Sequence, residues 1–343
     1  MQEVKMRKVS IAVVMASVVM VMLFSGARMP AKAAAKETGY VHMNKMIDKL
    51  ERGQVVSGIW LNCLHPSMAI ALTRFNGFPT YEESVTKPMI DFVLIDLEHE
   101  PFDVAALRNF MLAMNSRREA LTKGNLQPNV ATMVRIPEDA EGSIGAMVKQ
   151  VLDCGAHSVI VPHVRHAEDA KKFVSACRYP QPKNSPIYEP AGHRGAGPKL
   201  PAYLWGMDTK EYIKRADVWP LDPKGDILAV IMIEDELGVK NIDEILKVKG
   251  VGAVIFGPYD YSFATGHPGS PGHPSVAEGL AKVKKACDKH NVPLIGFVKP
   301  HNVIQKIEDN FKMLFIGHDF DLGGRAGQNL KLIREHQKTK KSK

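Results

Sequence analysis

Length, composition and charge are those of a large globular protein. The chain has 343 residues, of which 45% are hydrophobic and 24% are charged, enough for one large barrel or two smaller domains. The formal net charge is +8, but there is no aromatic-and-basic motif and no zinc-ligand spacing. These features exclude nucleic acid as an expected partner.

The first thirty-three residues have the order of a secretory signal peptide. Three basic residues within positions 5–8 precede an uncharged apolar run over 9–26, and small residues follow it. This order predicts cleavage after Ala33 and an exported, periplasmic or secreted protein without stable membrane association. An uncleaved anchor is the weaker alternative, because the run is near the short limit for a spanning helix. Cleavage removes five bases and one acid, which lowers the formal charge to +4.

The remaining chain is predicted to be one domain over 34–335 with a solvated basic tail over 336–343. Its cysteines are far apart and form no CxxC pair, so free thiols are favoured over disulfides or metal ligands. They are Cys63, Cys154, Cys177 and Cys287.

Apolar, strand-like runs alternate with helical patterns along this domain. Amphipathic segments such as 105–114, 144–155 and 276–290 separate the runs. This alternation predicts an α/β fold with a parallel sheet, and eight such units predict a closed (β/α)₈ (TIM) barrel. A doubly wound open sheet is the alternative, but no GxGxxG turn follows the first strand. The strand candidates are 55–63, 91–99, 129–136, 158–164, 227–234, 253–260, 293–298 and 313–319.

One stretch breaks the alternation. Residues 179–226 begin with a segment rich in proline and glycine and connect the fourth and fifth strand candidates. A connection of this length in a compact domain is usually functional, which predicts a lid or a substrate loop. Gly195 and Gly197 within it permit close backbone approach, to a substrate or within an ordinary turn.

Ionisable side chains recur where the predicted strands end. Active-site groups of a (β/α)₈ barrel project from these carboxyl ends, so they are candidate site residues. His163, His318 and Asp319 are the weaker candidates, because strand-end polar groups also satisfy loop backbone atoms. The full set is Asp96, Glu98, His99, Arg135, His163, Glu234, Asp260, His318 and Asp319.

Four of these residues suggest chemistry. Glu234 and Asp260 end adjacent strand candidates, and two carboxylates suit a divalent ion such as Mg²⁺ or Mn²⁺. Arg135 suits a clamp on a carboxylate or a developing enolate, and His99 suits a general base. Each also has a structural interpretation. The two acids could cap a helix or form a loop salt bridge, and Arg135 could pair with a strand-end acid. His99 could be a hydrogen-bonded histidine at a strand end.

Several sequence blocks, in this order, resemble the HpcH/HpaI aldolase family, the metal-dependent (class II) pyruvate aldolases. The blocks are IDLEHEPFD, MVRIPEDAEG, GHRGAG, IMIEDELGV, GPYDYS and GHPSVAEG, within residues 55–330. The resemblance implies a barrel whose C-terminal helix exchanges between subunits of a homo-oligomer, a hexamer or a trimer. It also implies small-molecule substrates, a 2-oxo acid and an aldehyde, whose carbon–carbon bond is formed or cleaved.

The resemblance assigns roles residue by residue. Glu234 and Asp260 would bind the ion, Mg²⁺, Mn²⁺ or Co²⁺. Arg135 would bind the oxo acid and steady its enolate, and His99 would be the base that acts through water. Supporting roles fall to Asp96, Glu98 and, from a subunit interface, Asp153. The substrate carboxylate would lie against the backbone of Gly257, Pro258, Tyr259 and Asp260, beside Ser262.

The sequence departs from the family at a few places. Met232 stands where many members carry glutamine, the segments 75–90, 115–128 and 180–190 are longer than usual, and a signal peptide is atypical. Besides a metal-dependent aldolase, the sequence allows an exported barrel that binds a metal and an oxo acid without turnover. It also allows a citrate-lyase-like enzyme acting on a CoA ester, and a Schiff-base mechanism at Lys299.

Overall fold

The parallel sheet closes on itself, as predicted. The computed structural model describes residues 40–74, 89–138 and 143–321. The strands run in the order β4-β3-β2-β1-β9-β8-β7-β6, and β4 also pairs with β6, which closes an eight-stranded (β/α)₈ barrel. A two-residue strand, β5, lies beside β6. The strands are β1 Val56–Leu61, β2 Phe92–Asp96, β3 Ala131–Arg135, β4 Ser158–Val161, β5 Val218–Trp219, β6 Ile227–Ile233, β7 Ala253–Phe256, β8 Leu294–Phe297 and β9 Met313–His318.

Helices lie between successive strands, and side-chain caps fix several of their starts. Asp103 accepts a hydrogen bond from the amide of Ala106 at the start of α3, and Asp235 does the same for Gly238 in α9. The helices are α1 Lys45–Glu51, α2 Pro66–Arg74, α3 Val104–Met114, α4 Arg117–Lys123, α5 Ile144–Asp153, α6 Ala167–Cys177, α7 Lys199–Trp205, α8 Thr209–Arg215, α9 Glu236–Ile245, α10 Pro258–Ala264, α11 Pro274–His290 and α12 Val303–Glu308.

Side chains of each strand alternate between two cores, because successive residues of a strand point to opposite faces. In β2, Phe92 and Leu94 belong to the core inside the barrel, and Val93 and Ile95 belong to the core between sheet and helices. The inward side chains continue to the carboxyl ends of the strands, which form the mouth of the barrel. There the inward positions of β2, β3 and the end of β6 are Asp96, Arg135 and Glu234.

The opposite end of the barrel is closed by α1 and by the stretch 179–226. Met46 and Ile47 of α1 are fully buried in the inner core. Trp205 donates a hydrogen bond to the carbonyl of Gly155 at 2.9 Å, just before β4, and β5 pairs with the first residues of β6. Residues 205–219 of the stretch thus pack at the amino ends of the strands. Within one chain it is not the predicted lid over the mouth.

Three predicted features lie in parts of the chain that the structure does not describe. The signal peptide over 1–33, the exchanged C-terminal helix and the tail over 336–343 lie outside the described residues, as does most of the segment 75–90. Among the described residues, no helix is both long enough and apolar enough to cross a membrane. The described cysteines are all free thiols.

A buried histidine near the amino end of β4 leads to a prediction on acid stability. The ring of His157 stacks on Trp205 at 5.2 Å, and its Nδ1 accepts a hydrogen bond from the Thr132 amide at 3.3 Å. Burial lowers the pKa of His157 from 6.5 to about 4. Between these values the unfolded chain binds a proton that the folded chain does not, so stability falls as the pH falls through this window.

We expect a loss of about 2–3 kcal/mol of unfolding free energy from this group between pH 7 and pH 4, since each pKa unit corresponds to about 1.4 kcal/mol. His157→Asn keeps an acceptor near Nδ1 but cannot titrate, and its urea-unfolding free energy should depend less on pH across the same window. Equal pH dependence of the variant and the wild type would contradict this assignment.

Candidate active site

The strand-end residues converge at the mouth around Arg135, which ends β3. Its Nε donates to Asp96 Oδ1 at 2.8 Å and its Nη2 donates to Asp96 Oδ2, so the two side chains form a two-pronged ion pair. Strand register explains the contact, since Asp96 and Arg135 are direct neighbours in the β2–β3 pairing. Burial alone would raise the pKa of Asp96, but the hydrogen bonds and charge of Arg135 outweigh it and hold that pKa below its ordinary value.

A second acid lies on the free side of the guanidinium. Arg135 Nη1 is 2.7 Å from Glu98 Oε2, so the guanidinium forms an ion pair with this carboxylate as well. Burial raises the pKa of Glu98 despite the nearby Arg135 and His99. Asp96 therefore orients the arginine, and Glu98 lies between the guanidinium and His163, whose Nε2 is 3.9 Å from Glu98 Oε1.

Glu98 forms a cluster with His163 and Glu234. One ligand-type atom of each residue lies within 4.8 Å of the others, and no other such group is found among the described residues. His163 Nδ1 is buried without a hydrogen bond, 3.6 Å from Glu234 Oε1. Buried polar atoms are normally satisfied, so a buried ring nitrogen without a hydrogen bond between two carboxylates fits a bound cation. Carboxylate and imidazole donors suit a hard or borderline divalent ion.

The backbone of His163, a member of this cluster, adopts a sparsely populated conformation. His163 follows β4 with a φ of 52°, in the left-handed region that few residues other than glycine adopt. Its amide donates to Glu234 Oε1 at 3.0 Å, and its Nδ1 lies 3.6 Å from the same oxygen. Backbone strain of this kind gathers at functional sites, because the surrounding structure must maintain it.

Glu234 has the most perturbed carboxyl at the mouth. It is 2% exposed, and burial together with the nearby carboxylates of Glu98 and Asp260 raises its pKa to about 8. A cation in the cluster would favour its ionised form. Gly257 leaves room for this carboxylate, since a Cβ there would overlap Glu234 Oε2.

Asp260, the second predicted metal ligand, lies in the first turn of α10, which begins one residue after Gly257. It lines the mouth and contributes to the raised pKa of Glu234, but it does not join the group formed by Glu98, His163 and Glu234. Ser262 is fully buried in the same helix and donates its hydroxyl to the carbonyl of Tyr259 at 2.6 Å. Its side chain faces the protein rather than the mouth.

The mouth contains a cavity of about 320 Å³, a volume typical of sites for small molecules. His99 lines it with a side chain that is 61% exposed and with Nε2 3.9 Å from Glu98 Oε2, accessible to a substrate or a water. The other lining residues are Trp60, Arg135, Met232, Gly257, Pro258, Tyr259, Asp260, Phe297 and His318.

Other candidates lie elsewhere or have structural partners. Asp153 ends α5, and its Oδ1 accepts a hydrogen bond from Arg194 at 2.9 Å. Burial raises the pKa of Asp153, and the role at a subunit interface stays a prediction. Gly197 lets the loop backbone approach Asp153, since a Cβ would lie 2.6 Å from its Oδ2. Asp319 Oδ2 accepts from the amides of Asn62 and Cys63, the structural alternative for a strand-end acid.

The sequence interpretation gives two residues too little weight and misses two others. It assigns Glu98 only a supporting role beside His99, and it ranks His163 as a weak candidate. It does not single out Trp60 and Phe297, although both line the mouth. Both residues could have been found from the sequence. Trp60 is at an alternate position of β1 that points into the barrel, and Phe297 is the last residue of β8.

Comparison with known proteins agrees with this architecture. The family model for HpcH/HpaI aldolase/citrate lyase matches residues 79–320. The hydroxypyruvate/pyruvate aldolase of Pseudomonas aeruginosa is 31% identical over 238 residues, 69% of this chain and 72% of that protein. The 2-keto-3-deoxy-L-rhamnonate aldolase of Salmonella newport is 32% identical over 235 residues, 68% of this chain and 71% of that protein. A solved HpcH/HpaI aldolase/citrate lyase family protein from Burkholderia cenocepacia shares the fold, with a TM-score of 0.66, 24% identity, and coverage of 85% of this chain and 99% of that chain.

The fold, the family model and the named relatives together define a (β/α)₈-barrel enzyme of the lyase class. The chain belongs to the HpcH/HpaI aldolase/citrate lyase family. The resemblance found in the sequence motifs is confirmed, and so is the prediction of an aldolase, a lyase that acts on carbon–carbon bonds.

Proposed function

We propose that the protein is a divalent-metal-dependent aldolase that cleaves 4-hydroxy-2-oxo acids to pyruvate or a related 2-oxo acid and an aldehyde, or forms them in reverse. The observation that carries the proposal is the buried cluster at the mouth. One ligand-type atom each of Glu98, His163 and Glu234 lies within 4.8 Å of the others, and His163 Nδ1 is buried there without a hydrogen bond, 3.6 Å from Glu234 Oε1. The names of the two aldolase relatives support the substrate class.

Glu234 is the principal ligand of the ion in this proposal, with Asp260 as predicted and with Glu98 and His163 beside it. Mg²⁺, Mn²⁺ and Co²⁺ all suit these donors. When bound, the ion supplies a Lewis acid that polarises the keto group of the substrate.

The residues of the chain perform the remaining steps. Arg135, oriented by Asp96, binds the oxo acid and stabilises its enolate charge. In cleavage, His99 removes the proton of the C4 hydroxyl through a water. The C3–C4 bond then breaks, C4 becomes the aldehyde carbonyl, and the electron pair passes to the C2–C3 enolate, which takes a proton at C3.

Removing and restoring the metal tests this function. We expect EDTA to abolish pyruvate release from 4-hydroxy-2-oxo acids and Mg²⁺, Mn²⁺ or Co²⁺ to restore it, while borohydride added with substrate leaves the enzyme active. Activity that survives EDTA but is lost to borohydride would point to a Schiff base. Lys299, the candidate for that mechanism, is exposed and does not line the cavity.

The same assay distinguishes the aldolase from a binding protein and from a citrate-lyase-like enzyme. An absence of pyruvate release with every metal would favour a barrel that binds its ligands without turnover. Release of product only from a CoA ester would favour the citrate-lyase-like reaction.

Export and assembly are further parts of the proposal. The signal-like order of residues 1–33 supports a mature chain that begins near Ala34. N-terminal sequencing of the purified protein decides it, and a cytosolic protein that retains Met1 would contradict export. The homo-oligomer implied by the family resemblance also stays a prediction.

A further inference from the structure

The mouth of the barrel has two chemically different halves. Charged or metal-type side chains follow β2, β3, β4, β6 and β7, as described above. The three remaining strands, β8, β9 and β1, are consecutive neighbours in the sheet and carry aromatic rings near their carboxyl ends. These rings, Phe297, His318 and Trp60, form one surface that we call the aromatic wall.

The rings of the aromatic wall pack on one another and on the charged half. Trp60 lies 6.1 Å from His318, nearly parallel at 17°, and 5.9 Å from Phe297. Trp60 also packs on Phe315 at 5.4 Å and on the guanidinium of Arg135, 4.6 Å from the ring centre. The amide of Phe320 donates to Nδ1 of His318 at 3.0 Å, which helps to hold that ring in place.

Phe297 is the unusual member of the wall. The three residues before it in β8 are buried, but Phe297 is 41% exposed, with one face stacked on Phe315 at 5.2 Å. A large apolar ring left open at the end of a buried strand adds little to the core. It does line the 320 Å³ cavity, together with Arg135 and Asp260. The wall and the charged half therefore face one continuous space.

We propose that the aromatic wall binds the aldehyde half of the substrate and that the preferred aldehyde carries an aromatic or other apolar group. This inference rests on the proposed function, in which the ion and Arg135 hold the oxo-acid half. The substituent on C4 is then left to contact the wall. An aryl group gains apolar burial and ring contacts there, whereas the hydroxyls of a sugar-derived aldehyde would lose water without finding enough partners.

A structural explanation covers only part of the wall. Trp60 is 8% exposed and would be needed merely to pack against Arg135 and the inner core. That explanation predicts no effect of Phe297 on the choice of aldehyde. The two interpretations therefore predict different ratios of kcat/KM between apolar and polar aldehyde substrates, rather than different overall activity.

The test compares two substrates with the metal-loaded enzyme: the pyruvate adduct of benzaldehyde and the pyruvate adduct of glyceraldehyde, each followed by pyruvate release. We expect kcat/KM to favour the benzaldehyde adduct by about tenfold or more. Phe297→Ala should lower kcat/KM for the benzaldehyde adduct by about 10–100-fold. It should also lower the ratio of kcat/KM for the benzaldehyde adduct to kcat/KM for the glyceraldehyde adduct.

Phe320→Ala is the matched control, since Phe320 lies outside the wall, packs on His318 at 4.8 Å, is 70% exposed and does not line the cavity. It should leave the ratio unchanged. A wild-type preference for the glyceraldehyde adduct, or an unchanged ratio in Phe297→Ala, would overturn the inference.

A separate readout distinguishes this failure from failure of the proposed function. Exchange of the pyruvate methyl protons with deuterated water, followed by NMR, requires the metal and the enolate but no aldehyde. Metal-dependent exchange without an aryl preference would reject only the aldehyde class. Absence of exchange in the metal-loaded wild type would reject the proposed function and the inference with it.

Discussion

Glu234→Gln should abolish stoichiometric metal binding and nearly all turnover. Glutamine keeps the shape of the side chain and one acceptor oxygen, but it removes the negative charge that Glu234 brings to Glu98 and His163. A divalent ion held by carboxylates loses much of its attraction when one of them becomes neutral. Asp260→Asn should have the same outcome if Asp260 shares the ion as proposed. Metal content of the purified, folded variants is the measurement.

Two variants serve as comparisons in this experiment. Glu236→Gln makes the same change at an exposed position in the first turn of α9 and should keep both metal and rate. His99→Ala should keep the metal but lose about 10²–10⁴-fold in rate, the usual contribution of a general base. Full metal occupancy in Glu234→Gln would remove the centre of the proposed mechanism.

Stability of the metal-free protein separates a ligand role from a structural one. Burial raises the pKa of Glu234 from 4.5 to about 8, so the unfolded chain releases this proton first and stability falls as the pH rises between these values. Glu234→Gln removes that penalty. Its urea midpoint at pH 8 without metal should equal or exceed that of the wild type, whereas a side chain that merely braces a loop would give a lower midpoint.

Arg135→Ala should cause the largest loss of stability among the mouth variants, about 3–5 kcal/mol, because it leaves a buried charge without its partner. Asp96 is 2% exposed and receives two hydrogen bonds from this guanidinium, and Glu98 lies on its other side. Any protein that still folds should bind the oxo acid weakly, since the substrate carboxylate or enolate loses its charged partner. Urea unfolding and the KM for the oxo acid measure the two effects.

Arg165→Ala is the matched control for this variant. Arg165 pairs with Asp235 and Glu138, but its side chain is 44% exposed, so the loss should not exceed about 1 kcal/mol. Arg135→Lys keeps the charge without the two-pronged geometry and should fall between the two alanine variants in stability. Equal stability of Arg135→Ala and Arg165→Ala would show that the Arg135–Asp96 pair is not needed for the fold.

Local patterns are sufficient to predict the barrel and several members of its site. Eight apolar runs separated by amphipathic helices match the eight strands that close the sheet. Asp96, Arg135 and Glu234 are recognisable because each stands where a buried run ends, and strand ends of such a barrel face one mouth. Alternation of side chains along a strand is a local property, so short-range periodicity is sufficient to predict which of these groups point inward.

The long connection over 179–226 shows where local patterns fail. Its composition indicates a functional loop, but composition does not specify which end of the barrel a loop covers. Non-local contacts decide it, such as Trp205 with Gly155 and His157 and the pairing of β5 with β6, which place the connection at the amino ends of the strands.

The family motifs, the parallel strands and the charged groups at their carboxyl ends can be predicted from the sequence, because they follow from residue type and short-range periodicity. Which strand ends become neighbours depends on long-range contacts. Pairing of β4 with β6 closes the barrel and brings His163, which follows one strand, against Glu234, which follows the other. The positive φ of His163 then turns its amide and ring toward that carboxylate. Closure also groups β8, β9 and β1 into the aromatic wall opposite these charges, an arrangement that no short stretch of sequence contains.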